Sequence, residues 1–445
     1  RQYDSDRDEV IRSGFDSGLE AIVNIGTDLE SSRKSIELGE KHKHIYVSVG
    51  VHPHDSKDCP KDYIRRLGEM TTHKKVVAIG EMGLDYYRNL SPRDTQKRIF
   101  NEQLELALRL ELPVVVHIRE SIDESLRILE KSGIKRGVLH SFPGDEDEAK
   151  AGIDMGFFIS FAGPITYPKS TRPPVAKSLP LSRIVAETDS PYLTPQAFRG
   201  KRNKPEYVRF VIDKLTEILS PYAFHDIDRI TSYNARRLFG LPLDKTPKIA
   251  YKIRQSLYLN LTNRCSCNCY FCPRTAPGSG YVAGHYLRLK TEPTAEQVLS
   301  AINAESDFDE IVFCGLGEST IRLKELLQIA RVLKADGRRT RLNTNGHGSL
   351  INKTDLPSKL AASIDKISVS LNAHDAQTYV KICKPDHGQD AYQAMIEFIK
   401  GCRSHGIRTV ATVVDIPEVD LEACRKLSTE LGTEFRIRKY SKYNL

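Results

Sequence analysis

Residues 76–117, VVAIGEMGLDYYRNLSPRDTQKRIFNEQLELALRLELPVVVH, decide how the first half of the chain is read. VVAIGEMG from Val76 and VVVHI from Val114 are short β-branched runs, and Thr95–Leu110 between them places apolar residues at helical spacing. A one-faced helix between two such runs is the mark of parallel strands, since a parallel neighbour can be reached only by a crossover. The alternation extends outward through AIVNIG from Ala21, YVSVGVH from Tyr46, GVLHSF from Gly137, FFISFAG from Phe157 and IVAETD from Ile184, seven strands in all. The expected class is α/β, a (β/α)8 TIM-type barrel whose first strand is apparently missing. Its natural place is before residue 1, because the chain opens directly into helix-like DRDEVIRSGFDSG.

After the helix-like HDIDRITSYNARRLFGL comes PLDKTPKIAYKIRQ, a stretch with Pro and Lys and no periodicity, expected to be a linker over 242–255 between domains 1–241 and 256–445. The second series has strand candidates at SLYLNLT from Ser256, EIVFCG from Glu310, RTRLNTN from Arg339, KISVSLN from Lys366, RTVATVV from Arg408 and EFRIRKY from Glu434. Six strands with helical stretches between them suggest an open, partial (β/α)6 barrel.

The chain length of 445 residues also calls for two cores, being about three times a usual ~100–150 residue domain. With 40% hydrophobic and 28% charged residues the composition is that of a folded, water-soluble protein. Its best apolar runs are far short of the ~20 residues that cross a bilayer, so no membrane partner is expected. RQYDSDRDEV has no apolar signal core and no initiator Met, so no secretory precursor is expected and the start need not be a natural one. A net charge of +8 suits a phosphate-rich partner but decides nothing alone. Four of nine cysteines, Cys265, Cys267, Cys269 and Cys272, fall within eight residues, which favours a metal or cluster over disulfides and a reducing, cytoplasmic location.

In a parallel barrel the reacting groups lie where strands end and βα-loops begin. Five strands of the first half end on such side chains: His52 in GVHPH, Glu81 in GEMGLDYY, His117 in VVVHIRE, His140 in LHSF and Asp189 in AETDSPYL. A lone strand-end His is usually structural, and Asp before Ser-Pro is usually a turn. Recurrence at one topological place makes five bland residues a poor account. His and carboxylate donors suit Zn, Mn or Mg, which lower the pKa of water and neutralise phosphate oxygens, so hydrolysis is the implied chemistry. The basic stretch FRGKRNKPEYVR, with Arg199, Lys201 and Arg202, is in isolation a solvated loop, and beside a metal site a phosphate clamp.

GVHPH, GEMGLDYY, VVVHIRE, LHSF, ETDSPYL and RGKRNKP, in that order, resemble the TatD family of metal-dependent deoxyribonucleases over roughly 1–241. The resemblance implies a nuclease acting on DNA or another phosphodiester with two divalent ions, with Glu81, His117, His140 and Asp189 as ligands, His52 near the scissile phosphate, and Glu81 and Asp189 also catalytic. The family carries an HxH pair on its first strand, the strand absent from this reading.

LYLNLTNRCSCNCYFCPR sets Cys265, Cys269 and Cys272 at CxxxCxxC spacing after the first strand of the second half. Three thiolates on one loop can hold three irons of a cubane and leave the fourth open. A structural zinc knuckle is the competing reading, with Cys267 as fourth ligand, although no second CxxC follows. Cys59, Cys314, Cys383, Cys402 and Cys424 read as bystanders. CGLGEST offers Gly315 and Gly317 for close approach to a ligand and Glu318 for an ammonium group, while LNTNG and SVSLNA aim small polar side chains at the same mouth.

Together these motifs resemble the radical S-adenosylmethionine (SAM) superfamily, and over about 254–445 the radical SAM proteins that accompany TatD nucleases. The resemblance implies a 4Fe-4S cluster on Cys265, Cys269 and Cys272 and SAM on its open iron. It implies the Gly315–Glu318 segment at the amino group, and Asn343, Asn345, Ser370 and Asn372 near ribose and carboxylate. A reductant such as flavodoxin or ferredoxin would supply the electron for hydrogen abstraction from a substrate. The whole chain then reads as a bifunctional nuclease and radical enzyme. The alternative is a catalytically degraded nucleic-acid-binding scaffold attached to a radical SAM modification enzyme.

Overall fold

The computed structural model describes residues 2–275 and 280–440, and the chain divides into two units, Arg1–Leu243 and Asp244–Leu445. In the first, seven strands pair in sequence order, all parallel: β1 Ile22–Ile25, β2 Ile45–Val49, β3 Val76–Asp85, β4 Val114–Arg119, β5 Gly137–Leu139, β6 Phe158–Phe161 and β7 Ile184–Ala186. This is a TIM-type sheet, and β1 and β7 are its two edges among the described residues. No described helix is long and apolar enough to cross a membrane.

Inside this sheet Ala78, Val115, Val138, Phe158 and Val185 form one apolar cluster with Leu238, against which Ile25, Ala235 and Phe239 pack. Side chains two residues apart on a strand share a face. Two residues beyond Val115, Val138, Phe158 and Val185 the same face therefore carries His117, His140, Ser160 and Glu187, so the polar site rests directly on the apolar layer. On β3 the parity changes. The register with β4 slips between Ile79 and Met82, and this irregularity turns Glu81, three residues past Ala78, inward. Gly83 (φ +143°) makes the fit possible, since a Cβ there would lie 2.0 Å from the His117 carbonyl oxygen.

The second unit pairs β9 Ser256–Leu259, β12 Glu310–Phe313, β13 Thr340–Thr344, β14 Lys366–Ser370, β15 Arg408–Asp415 and β16 Glu434–Lys439 in parallel, in that order, the open barrel expected. A two-strand ribbon, β10 Tyr281–Val282 with β11 His285–Tyr286, stands apart from it. The stretch 242–255 departs from the expected linker. It contains β8 Ala250–Ile253, antiparallel to β9 through a two-residue turn at Arg254 and Gln255. Tyr251, buried against Leu287 and Leu316, anchors β8, an apolar contact hidden from a periodicity search by the Pro and Lys around it.

Candidate metal centre and cysteine loop

Glu81 is the meeting point of the first site. Its Oε1 lies 2.9 Å from His117 Nδ1 and 3.6 Å from both His52 Nε2 and His140 Nε2, and His140 Nε2 is in turn 3.6 Å from Asp189 Oδ1. All five strand-end residues are thus brought together. Among the described residues, His52, Glu81 and His117 offer ligand atoms within 4.8 Å of one another, a set that could hold one ion. His52, expected only near the scissile phosphate, therefore stands among the donors. Asp189 adopts a left-handed backbone (φ +59°), a conformation retained where the surrounding structure imposes it.

Three further residues complete the site. Asp85, fully buried, accepts from the Arg88 amide through Oδ1, and its Oδ2 is shared by His54 Nε2 at 2.8 Å and His117 Nε2 at 3.2 Å. Glu187 meets His140 Nδ1 at 2.9 Å and accepts from the Ser141 amide at 2.8 Å. Sequence reasoning passed over all three, although each lies at even spacing from a residue it singled out: His54 from His52, Asp85 from Glu81, Glu187 from Asp189. Such carboxylates orient ligating imidazoles and raise their basicity. Asp85→Asn is accordingly expected to weaken manganese binding by about 10–100-fold, measured by calorimetric titration.

The electrostatics are those of a site that protons hold together when no cation is present. Burial opposes charge on Glu81, but His140 and His117 outweigh it and keep the carboxyl well below its ordinary range. Burial likewise opposes protonation of His117 and His140. Asp85 and Glu81 raise the first, and Glu187 and Glu81 raise the second well above normal. Burial draws His52 down to about 3, leaving it neutral, and pushes Asp189 up to about 7 despite His140. Anionic oxygens and imidazoles converging in a buried pocket suit a divalent ion that would displace those protons.

The basic loop after β7 divides. The Arg202 guanidinium is engaged by the Asp6 carboxylate and by the Gln2 carbonyl. Arg199 lies over the Tyr167 ring at 4.7 Å, and Lys201 is exposed. Arg202 is therefore committed to the N-terminal segment, which leaves Arg199 and Lys201 as the freer cations.

In the second unit the loop after β9 carries the cysteines. Cys265, Cys269 and Cys272 are half-buried, and all three thiols are pushed up: Cys265 by the neighbouring Cys267 and then by burial, Cys272 by burial, and Cys269 because Cys383 and burial together outweigh the lowering by Cys267, its largest single influence. Thiols crowded in this way are neutral without a cation and suit one that replaces their protons. Cys267 is buried and turned toward Asn345 Nδ2 (3.7 Å), His347 Nδ1 (3.9 Å) and the Tyr379 hydroxyl (4.0 Å). Cys383, read from sequence as a bystander, adjoins Cys269. Its carbonyl accepts from the Asn268 amide at 3.0 Å, and the helix Ala376–Cys383 that places it is remote in sequence.

Gly315 and Gly317 pack closely on the cysteine loop. A Cβ at Gly315 would lie 2.1 Å from Asn260 Oδ1, and one at Gly317 would lie 2.2 Å from the Arg264 carbonyl. They let the turn after β12 lie against the start of the cysteine loop, where the Gly317 and Glu318 amides donate to Thr262 and Arg264 carbonyls. The Glu318 carboxylate, buried, accepts from Thr320 N and Oγ1, Thr344 Oγ1 and the Asn345 amide, so it latches two loops together. Asn345 in turn donates to Ser266 Oγ at 2.9 Å and lies 3.9 Å from Cys265 Sγ. Ser370 ends β14, and Asn343 accepts from Arg341 at 3.2 Å. Asn372 (φ +55°) is buried with Oδ1 unpartnered, an acceptor at the mouth that suits a hydroxyl or ammonium donor from a ligand.

His347 is fully buried, meeting Ser266 Oγ at 3.0 Å and the Tyr379 hydroxyl at 2.9 Å, and burial lowers its pKa to about 4. Its folded-state pKa lies below its unfolded value, so the unfolded chain binds the extra proton. This contribution is complete above pH ~6.5 and is lost as pH falls toward ~4, up to about 3 kcal/mol. The fall in the melting midpoint of the second unit between pH 7 and pH 5 should shrink in His347→Gln.

A parallel barrel with a buried His and carboxylate cluster at its strand ends defines a metal-dependent hydrolase, here followed by a second barrel with a three-cysteine loop. The profile of the TatD related DNase family matches residues 1–240, and that of the Radical SAM superfamily matches 259–428. The chain belongs to the TatD related DNase family, with a radical SAM domain fused behind the hydrolase domain. It is 40% identical over 243 residues to the metal-dependent hydrolase YabD of Bacillus subtilis (strain 168), covering 54% of this chain and 95% of that protein. It is 32% identical to the 3′-5′ ssDNA/RNA exonuclease TatD of Pantoea ananatis, covering 54% and 95%. The crystal structure of YjjV, a TatD homologue from Escherichia coli K12, superposes with a TM-score of 0.52 at 28% identity, covering 54% of this chain and 94% of that one.

Proposed function

We propose that the first unit hydrolyses phosphodiester bonds of DNA or another nucleic acid at the Glu81 centre. The second would hold a 4Fe-4S cluster on Cys265, Cys269 and Cys272 with SAM beside it, reduced by a protein such as flavodoxin or ferredoxin. The observation that carries the first half is the convergence of His52, His117 and His140 on one carboxylate oxygen of Glu81. Two divalent ions, of magnesium, manganese or zinc, would be held by Glu81, His117, His140 and Asp189 with His52. When bound they lower the pKa of water and neutralise phosphate oxygens.

The chain's own groups do the orienting. Asp85 and Glu187 fix the His117 and His140 rings through hydrogen bonds to their ring nitrogens. Asp189, its Oδ1 3.6 Å from His140 Nε2, is placed at the same centre to orient the attacking water. Arg199 and Lys201 are placed to clamp the phosphate backbone. Metal-dependent release of nucleotides from single-stranded DNA, stopped by chelator and restored by manganese, tests this. No degradation with any of the three metals would overturn it. A silent scaffold gains no support from a centre in which five side chains able to ligate a metal converge.

In the second unit the turn Gly315–Glu318, its carboxylate already filled, would meet the SAM ammonium through its main chain. Asn343, Ser370 and the unpartnered Asn372 Oδ1 would meet ribose and carboxylate. Asn345 is better suited to holding the cysteine loop. Cluster and cofactor supply one-electron chemistry and hydrogen abstraction when bound. Anaerobically reconstituted protein should cleave SAM on reduction, and a failure to do so would overturn this half.

A further inference from the structure

The inner face of the second barrel carries a charge imbalance that neither proposed activity uses. Ile367 and Val369 of β14, Leu342 of β13 and Ala411 and Val413 of β15 face the apolar core. Lys366, Ser368 and Ser370 therefore share the opposite, inner face. The register Arg341–Lys366–Arg408 puts three cations side by side at its lower edge, and Ser370–Thr412–Arg436 lies two steps higher. Arg438, one step further up β16, faces Cys269, Cys272 and Cys314.

Two of these cations are neutralised: Arg341 by Glu310 at 2.8 Å, and Arg408 by Glu434 at 2.5 Å. Lys366, Arg436 and Arg438 have no carboxylate within 4.0 Å among the described residues. Ser368 Oγ, buried between them in register, has no hydrogen-bond partner. Unpaired like charges on a concave wall repel one another and attract an anion. Arg438, beside the cysteine loop, complements the anionic cluster proposed there, which leaves Lys366 and Arg436 for a different anion. A carboxylate carries one charge and would leave one of them unmatched. A phosphate monoester carries about 1.5 to 2 negative charges at neutral pH and three acceptor oxygens, and matches both cations and the Ser368 hydroxyl.

We propose that the inner face of the second barrel binds a phosphate monoester as substrate, held by Lys366 and Arg436 with Ser368 donating to one of its oxygens. This deepens the radical SAM reading by naming a substrate class, and rests on it in taking the inner face as the substrate's place. Hydrolysis of a phosphodiester leaves a phosphate monoester on one product, so the class is one that the first unit's proposed reaction would release.

Deoxyadenosine 5′-monophosphate, deoxyadenosine, inorganic phosphate and succinate serve as probes. Their binding to the full chain is measured by calorimetry, with EDTA present to keep divalent ions from the first unit. The monophosphate should bind at least about tenfold more tightly than the nucleoside. Lys366→Ala and Arg436→Ala should each weaken it by about tenfold or more, while Lys366→Arg, which keeps the charge, should stay within about threefold. Equal binding of nucleotide and nucleoside, or unchanged affinity in both alanine variants, would overturn the proposal. Succinate competing as well as inorganic phosphate would overturn the assignment to phosphate. Because SAM cleavage is not the readout, these outcomes are separate from failure of the radical reading.

Discussion

Glu81→Gln should lower metal-dependent turnover of single-stranded DNA by about 10³-fold or more, a loss of about 4 kcal/mol of transition-state stabilisation. The substitution keeps shape and removes charge. Among the described residues Glu81 is the one carboxylate within 4 Å of His52, His117 and His140 at once, so no described neighbour can replace its oxygen between them. In its place a neutral amide would turn either a poor ligand oxygen or an NH2 group toward the imidazoles. Manganese affinity should fall with turnover, and Asp189→Ala should behave alike through His140. Turnover within about tenfold of the parent in both variants would move the reaction away from this site.

Replacing Cys265, Cys269 or Cys272 singly by Ser should remove the broad visible absorbance of a reconstituted iron–sulfur cluster and bring reductive SAM cleavage to background. Cys267→Ser should retain both. The two outcomes differ because the first three thiols are half-buried on the loop, whereas the Cys267 sulfur is turned inward to His347 and Tyr379. Serine can replace a buried hydrogen-bonded thiol but is a poor ligand to iron that thiolates suit. Loss of the cluster in Cys267→Ser with retention in Cys272→Ser would reassign the ligands.

The thirteen parallel strands were legible because each is a short β-branched run bounded by turn residues. The donor residues were legible because parallel strands deliver their ends to one mouth. β8 was not, since three apolar residues between Lys248 and Lys252 carry no period, and its evidence is the contact of Tyr251 with Leu287 and Leu316. Asp85 and Glu187 were not, because one carboxylate in an acidic surface sequence looks like any other until an imidazole is seen against it. The packing partner of the CGLGE glycines was not legible either. They lie against Asn260 and Arg264 at the start of the cysteine loop, which leaves no room for a Cβ at either position.

The sequence by itself determined two successive parallel barrels, the five acid and imidazole side chains at the strand ends of the first, and the cysteine spacing of the second, because periodicity and local spacing are properties of the chain. Only the tertiary structure decided that Glu81 faces inward across a slip in the β3 register, that Arg202 is bound by Asp6 rather than left for phosphate, and that Lys366 and Arg436 stand unpaired on one face. The first and last depend on which strand lies alongside which, and in what register, and the second on which loop the N-terminal segment meets. Residues far apart in the chain settle that together through burial and pairing.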